Sequence, residues 1–335
     1  MTNFTRHLAG LAAGIAATAL VAGAALADPA IIYDLGGKFD SSFNEAAYNG
    51  AERYKAETGG NYAELETTDD AQREQYLRQF AERGNSPIIT PGYNFATALA
   101  KVAPEFPDIH FVILDDASVN LPNVRSVTFK EQEGSYLVGI LAAMKSESGK
   151  IGVVPAFNLP LLEAFACGYK QGAKSVNPNI EVLENYISTG FDGFTDKPKA
   201  IEVARAQIDQ GADVLYQVAG GAGAGVLQAA ADAGKFGIGV DSNQNGMFPG
   251  NVLTSMTKRV DVATYNAMLD EKNGAFTAGN IVLGVAEEGV GAAFDDNNAS
   301  LITPEMKAAV DKAAADIISG AITVHDFRSD SACPN

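Results

Sequence analysis

Histidine is scarce in this chain: His7, His110 and His325 are the three in 335 residues. His110 opens an apolar run and His325 lies near the C-terminus, so both read as structural. The H-E-x-x-H, C-x-x-C, G-x-S-x-G and Walker A motifs are missing, and with them the chemistries they carry. Asp295-Asp296-Asn297-Asn298 offers oxygen ligands but lacks the alternating spacing and central glycine of an EF-hand loop, and reads as a solvated turn. No catalytic set, metal or cofactor is expected. Positive charge is also short. Lys and Arg number 24 against 41 Asp and Glu, a formal net charge of −17, which repels nucleic-acid phosphates and anionic headgroups. Charged residues make up 19% and hydrophobic residues 47%, a globular balance with no disorder signature. The length exceeds one ordinary core and suits about two domains.

Long apolar runs are limited to one. Arg6 and His7 precede an uncharged stretch, Leu8 to Leu26, that ends in Ala25-Leu26-Ala27 before Asp28. A charged start, an apolar middle and an A-x-A site make residues 1–27 a cleavable signal peptide, the alternative being an uncleaved membrane anchor. No cysteine stands at the cleavage point to take a lipid, so a free periplasmic protein is expected. Cys167 and Cys333 are the two cysteines. An oxidising compartment permits a bridge between them, tethering the C-terminal tail to the helix that carries Cys167; two separate thiols are the alternative.

From Asp28 onward, β-branched runs alternate with Ala-rich amphipathic segments. Ala30–Leu35, Tyr62–Glu66, Pro87–Thr90 and His110–Leu114 read as strands, with helices over Ser42–Thr58, Ala71–Arg83 and Phe95–Val102. The series restarts with strands at Lys150–Val154, Ile180–Ile187, Asp213–Val218 and Phe236–Val240. Its helices are Leu161–Ser175, Pro198–Gln210 and Gly225–Ala233. Such alternation forces parallel sheets with helices on both faces, so the chain is α/β, with two doubly wound lobes and a cleft at the carboxyl ends of their strands. Val252–Ser255 and Ile281–Val285 are too few for a third lobe and read as returns across the hinge.

Three strand ends hold candidate binding groups. The first is Gly36-Gly37-Lys38-Phe39-Asp40-Ser41-Ser42-Phe43-Asn44. Its glycines turn the chain, a serine can cap the helix, and Phe43 enters the first helical turn. There Phe43 either packs back on the sheet or offers a ring to a planar ligand. Asp115 and Asp116 end the strand His110–Leu114, where a carboxylate can accept from ring N–H and amino groups. Third, Gly220-Gly221-Ala222-Gly223-Ala224-Gly225 follows a strand and opens a helix, with Asp241 at the next strand end. The G-x-G-x-x-G register of a dinucleotide site fails, because Val226 and Gln228 occupy the positions that would need glycine. The physics survives: glycines admit a ligand to the backbone, and an Asp can accept from vicinal hydroxyls.

These residues resemble the basic membrane protein (BMP) family of substrate-binding proteins, which includes purine-nucleoside-binding lipoproteins. The likeness runs through Gly36-Gly37, Asp40-x-Ser42-Phe43-Asn44 and Pro107-Asp108-x-x-Phe111-x-x-x-Asp115. It continues in Phe165-x-x-Gly168-Tyr169-x-x-Gly172-Ala173, the Gly-rich loop, Ile238-Gly239-Val240-Asp241-Ser242 and Thr254-Ser255-x-x-Lys258-x-Val260-Asp261. The resemblance implies a type I periplasmic binding fold and a purine nucleoside carried to an ABC permease and ATPase. It implies Phe43 and Phe165 stacking the base and Asp115 reading its edge, with Asn44 and Asp40 beside it. Asp241 and Lys258 would hold the ribose, helped by backbone around Gly220. A monomer is expected, its first lobe from 28–128 plus about 258–280 and its second from 129–257 plus about 281–335. Ala222 stands where the family often has Thr, and Asn243 where a second Asp is common. A free base, a flavin or a sugar therefore stays open as ligand, as do a sensing role and, further off, an NAD-dependent or nucleoside-processing enzyme.

Overall fold

Two six-stranded sheets divide the chain in a computed structural model that describes Met1 and residues 28–334. The signal peptide read from sequence lies outside the described residues, apart from Met1. The first sheet starts with β1 (Ala30–Tyr33), β2 (Ala63–Glu66), β3 (Ile88–Pro91), β4 (Phe111–Leu114) and β5 (Val124–Phe129). Helices α1 (Phe43–Thr58), α2 (Gln72–Glu82) and α3 (Ala96–Val102) connect the first four strands. After α4 (Glu131–Lys145) the second sheet takes β6 (Lys150–Pro155), β7 (Glu181–Glu184), β8 (Val214–Val218), β9 (Phe236–Asp241) and β10 (Val252–Lys258). Its helices are α5 (Pro160–Val176), α6 (Lys197–Asp209) and α7 (Gly223–Asp232). The chain then returns to the first lobe as α8 (Val260–Lys272) and β11 (Gly279–Leu283), and ends in the second as β12 (Val290–Ala292) and α9 (Pro304–Ser319).

The strand orders are β11-β5-β4-β3-β1-β2 and β12-β10-β9-β8-β6-β7. All pairings are parallel except β10 with β12. β1, β3 and β4 are buried at every residue, as strands covered by helices on both faces must be. β2, at the edge, alternates half-buried and exposed residues.

The chain crosses between sheets three times: after Phe129, after Lys258 and after Leu283. Both segments read as hinge returns are full sheet members. Val252–Ser255 belongs to β10 beside β9, and residues 281–283 pair with β5 in the first sheet. The last crossing therefore follows Leu283. β5, α4, α8 and α9 had no counterpart in the sequence reading. α4 buries every residue from Glu131 to Ala143, so it carries no amphipathic period to detect.

α4 packs closely on α5, and three glycines, Gly139, Gly168 and Gly172, decide how closely. A Cβ on Gly168 would sit 2.3 Å from the Gln132 carbonyl oxygen, and one on Gly172 would sit 2.0 Å from that of Tyr136. Any side chain there would push the helices apart. Their contact brings Glu131 at the start of α4 and Phe165 on α5 to the crossing region of the two lobes.

Candidate functional site

The carboxyl ends of the two sheets face one cavity of about 720 Å3, counting its part open to solvent. The first lobe contributes Asp34, Asp40, Phe43, Asn44, Tyr93 and Asp115; the second contributes Phe165, Phe191, Phe194, Gly220, Asp241 and Lys258.

Asp115 and Asp241 occupy matching places. Each directly ends the third strand in its sheet order, β4 or β9, and each has a left-handed backbone, φ 68° and φ 62°. Non-glycine residues seldom adopt that region, and such strain concentrates at functional sites. Burial is the main cause that pushes both carboxyls up to about 6. For each, the Lys258 ammonium pulls back down.

Lys258, at the end of β10, is 2% exposed. Its Nζ lies 2.6 Å from Asp115 Oδ2 and 3.0 Å from Glu131 Oε1. It also lies 5.1 Å, 5.0 Å and 5.4 Å from the ring centroids of Phe43, Phe129 and Phe165, within cation–π range. Burial works against the ammonium, yet Asp115, Glu131 and Asp241 together hold its pKa above the ordinary lysine value.

Asp40 is committed elsewhere. Its carboxylate accepts from the backbone N–H of Ser42, Asn44 and Glu45 at 2.8, 3.0 and 3.1 Å. It caps α1 and so aims Phe43, whose half-buried ring both packs on the core and lines the cavity. Asn44 Nδ2 donates to the carbonyls of Asp34 and Gly37 at 3.2 and 3.1 Å. That sets the amide orientation and leaves Oδ1 buried without a partner among the described residues. Asp115 Oδ1 is in the same condition. Buried acceptors are rarely left unmade. Two lining one cavity can accept from a donor-bearing ligand.

The lobes touch across the cleft. Ser42 Oγ donates to Asp241 Oδ2 at 2.6 Å, Ser242 Oγ to the Ser42 carbonyl at 2.9 Å, and Gln244 Nε2 to the Ser41 carbonyl at 2.8 Å. Phe165 is buried in the wall. Gly220 has φ 51° and opens the turn into α7 beside Phe194, whose Cδ1 a Cβ there would approach to 3.3 Å.

Sequence reasoning missed Asp34, Tyr93, Phe191, Phe194 and Glu131. Asp34 ends β1 and is held by Arg73 at 2.6 Å and Asn94 at 3.0 Å. Phe191 and Phe194 share a short turn, ring centroids 5.0 Å apart, with Phe157 5.5 Å from Phe194. Their aromatic pair after a strand was a readable signal; Glu131, one acid among many, offered none. Cys167 and Cys333 form a disulfide with Cα atoms 5.6 Å apart.

Residues 29–326 match a protein family described as "ABC transporter substrate-binding protein PnrA-like". The chain is 32% identical over 317 residues to the "ABC transporter nucleoside-binding protein BmpA" of Lactococcus lactis subsp. cremoris, covering 88% of each. It is 30% identical over 306 residues to "Basic membrane protein A1" of Borrelia garinii subsp. bavariensis, again covering 88% of each. A solved ABC transporter solute-binding protein from Aeropyrum pernix K1 superposes with TM-score 0.81 at 28% identity, covering 89% of this chain and 93% of that one.

Proposed function

The chain belongs to the Bmp family of PnrA-like ABC transporter substrate-binding proteins, and from that premise we propose that it captures a purine nucleoside between its lobes for import. The observation that carries this reading is the pair of unpartnered buried acceptors, Asn44 Oδ1 and Asp115 Oδ1, lining an aromatic cavity. A purine edge offers ring N–H and amino donors to such acceptors. Phe43 from one lobe and Phe165 from the other stack on the base, with Phe191 and Phe194 extending the wall. Asp241, on the opposite lobe from Asp115, takes the ribose hydroxyls together with backbone around Gly220. Lys258 keeps the carboxylates charged and in place, a different task from the ribose contact the resemblance implied.

Stacking contributes about 1–3 kcal/mol per base and a charge-assisted hydrogen bond about 1.5–3 kcal/mol. Two rings and two carboxylates therefore support roughly micromolar or tighter binding after association costs. A ligand touching both lobes favours the closed arrangement, and the closed form is what a permease driven by an ATPase would recognise. The protein works outside the cytoplasm and binds without chemical change. Among the described residues no helix is long and apolar enough to cross a membrane; that Asp28, and not a cysteine, follows Ala25-Leu26-Ala27 supports the reading of a protein free in the periplasm.

Calorimetric titration with inosine, guanosine, adenosine, the free bases, ribose and riboflavin tests the assignment. Purine nucleosides are expected to bind most tightly, and Asp241→Ala is expected to weaken them at least about tenfold more than the bases, one lost charged hydrogen bond. Equal losses for nucleoside and base would remove the ribose role; tighter binding of riboflavin or ribose would replace the ligand class.

pH gives a second test with opposite signs for two quantities. Asp115 and Asp241 titrate near 6 in the folded protein and near 3.9 when unfolded. Between those values the folded state holds more protons, so both groups add stability as pH falls from about 6 to 4, and that contribution is lost as pH rises through 6. Ligand binding needs the ionised acceptors. Affinity is expected to drop about tenfold per carboxylate between pH 7 and 5. A flat affinity profile over that range would contradict the acceptor roles.

A further inference from the structure

One side chain outside the cavity connects to it through buried charges. After α9 the chain runs back along α5, where Gln171 Nε2 donates to the His325 carbonyl at 3.0 Å and Gln171 Oε1 accepts from the His325 N–H at 2.9 Å. Eight positions further on, Cys333 is bonded to Cys167 of the same helix. Between these two anchors stands Arg328. Its Nη1 lies 2.9 Å from Glu131 Oε2, and its Nη2 donates to the Phe129 carbonyl at 3.1 Å. Asp326 holds the other side of the guanidinium at 2.9 Å.

Glu131 is 0% exposed, and its other oxygen is the one 3.0 Å from Lys258 Nζ. Lys258 in turn holds Asp115 at 2.6 Å. Charges therefore alternate from the tail to the cleft: Arg328, Glu131, Lys258, Asp115. Without Arg328, the Lys258 ammonium would be the single cation answering Asp115, Glu131 and Asp241. A buried carboxylate left without its cation is costly.

We propose that Arg328 is a positioning residue for the binding site: by neutralising Glu131 it commits Lys258 to Asp115 and keeps that carboxylate an anionic ligand acceptor. The proposal deepens the nucleoside reading and rests on it for the word acceptor, but its first consequence needs no ligand. The charged groups around Asp115 are Lys258 on β10, Glu131 on α4, Asp241 on β9 and Arg328 on the tail; Asp40 lies beside Asp241. Removing the positive charge of Arg328 must disfavour the ionised form of Asp115, because the remaining change in its surroundings is net negative.

The test is a carbon-13 NMR titration of the Asp115 carboxyl in the unliganded protein, assigned with Asp115→Asn. Arg328→Gln is expected to raise the Asp115 midpoint by about half a unit or more, while Arg328→Lys stays close to wild type. Arg328→Gln/Glu131→Gln deletes one charge of each sign and leaves the net charge around Asp115 as in the wild type; its midpoint is expected to return to the wild-type value. An unchanged midpoint in Arg328→Gln, or a double variant that stays as high as the single one, overturns the relay. Inosine titrations supply the functional arm. The affinity gap between wild type and Arg328→Gln should be about threefold near pH 5, narrow to about 1.5-fold near pH 6.5 and close above pH 8, following the half-unit shift. A gap of the same size at every pH would show a merely structural tail and overturn the proposal. If inosine fails to bind wild type, the nucleoside reading falls, and the carboxyl titration still decides the relay.

Discussion

Lys258→Met is expected to lower the stability of the unliganded protein by about 3–5 kcal/mol at pH 7.5, the usual cost of removing one partner of a buried ion pair. Methionine fills much of the same space, so the loss is electrostatic and not a cavity effect. It leaves Asp115, Glu131 and Asp241 at the cleft with Arg328 as the remaining cation among the residues named. The three rings now facing the ammonium at 5.0–5.4 Å would lose their cation–π contacts as well, about 0.5–2 kcal/mol each at most. Acid should relieve the defect. Protonating Asp115 and Asp241 removes like charge, so the gap between variant and wild type is expected to shrink by pH 5. Urea unfolding at the two pH values measures this. A loss below about 1 kcal/mol at pH 7.5, or one that does not shrink at pH 5, would mean that Lys258 does not hold the carboxylates together. Nucleoside affinity should also collapse in this variant, since Asp115 would lose the charge that keeps it an acceptor.

The second large effect belongs to the disulfide. Cys167 and Cys333 are 166 residues apart in sequence, and the bridge closes the second lobe, whose strands come from both sides of the excursion through α8 and β11. Breaking it by Cys333→Ala or by reductant is expected to cost about 2–5 kcal/mol, because the unfolded chain regains the freedom that so long a loop had denied it. Folded-state contacts hold part of the tail regardless: the two Gln171–His325 bonds and the Arg328–Glu131 pair remain. The change should therefore appear in the unfolding midpoint and not in the fold, with the far-ultraviolet circular dichroism spectrum unchanged. Identical urea midpoints with and without reductant would show that the tail's other contacts already suffice.

The parts of this architecture that could be read in advance are those with a periodic signal. β1, β3, β4, β6, β8 and β9 are short β-branched runs, and α1, α2, α3, α5, α6 and α7 alternate with them in the rhythm of a doubly wound unit. α4 was invisible because a helix buried on all sides has no polar face to mark its turns. β5 carries Arg125 and Ser126 in its middle. Both are buried, and Arg125 is satisfied by Asp270 at 2.7 Å and the Thr277 carbonyl at 2.8 Å. A buried arginine with distant partners looks like surface in a sequence. β11 looked like part of the second lobe since nothing local says which sheet an apolar pentamer will join.

The binding groups divide in the same way. Asp115, Asp241 and the loop at Gly220 stand at strand ends, where the α/β rule that ligands lie beyond the carboxyl ends of parallel strands nominated them, whereas the family resemblance was needed to choose Phe43's ligand-facing reading and to add Asn44. Asp40 came from the resemblance as well, yet its oxygens are spent on three backbone amides at the start of α1. Chemistry at a strand end is necessary for a ligand contact but does not guarantee one.

By itself, then, the sequence determined the α/β class, the two-lobed layout, the strand ends where a ligand could be met and the want of catalytic motifs. Each of these follows from local pattern or composition. The tertiary structure decided which polar atoms are free. Asn44 Oδ1 and Asp115 Oδ1 are open because Asn44 Nδ2 and Asp115 Oδ2 are already engaged. It also decided that Lys258 answers Asp115 and Glu131 from the middle of three rings, and that Arg328, 197 residues beyond Glu131 in numbering, meets it at the hinge. Those outcomes depend on burial and on contacts between distant segments, where desolvation makes one cation worth far more than it is in water, and no local reading of residues carries that information.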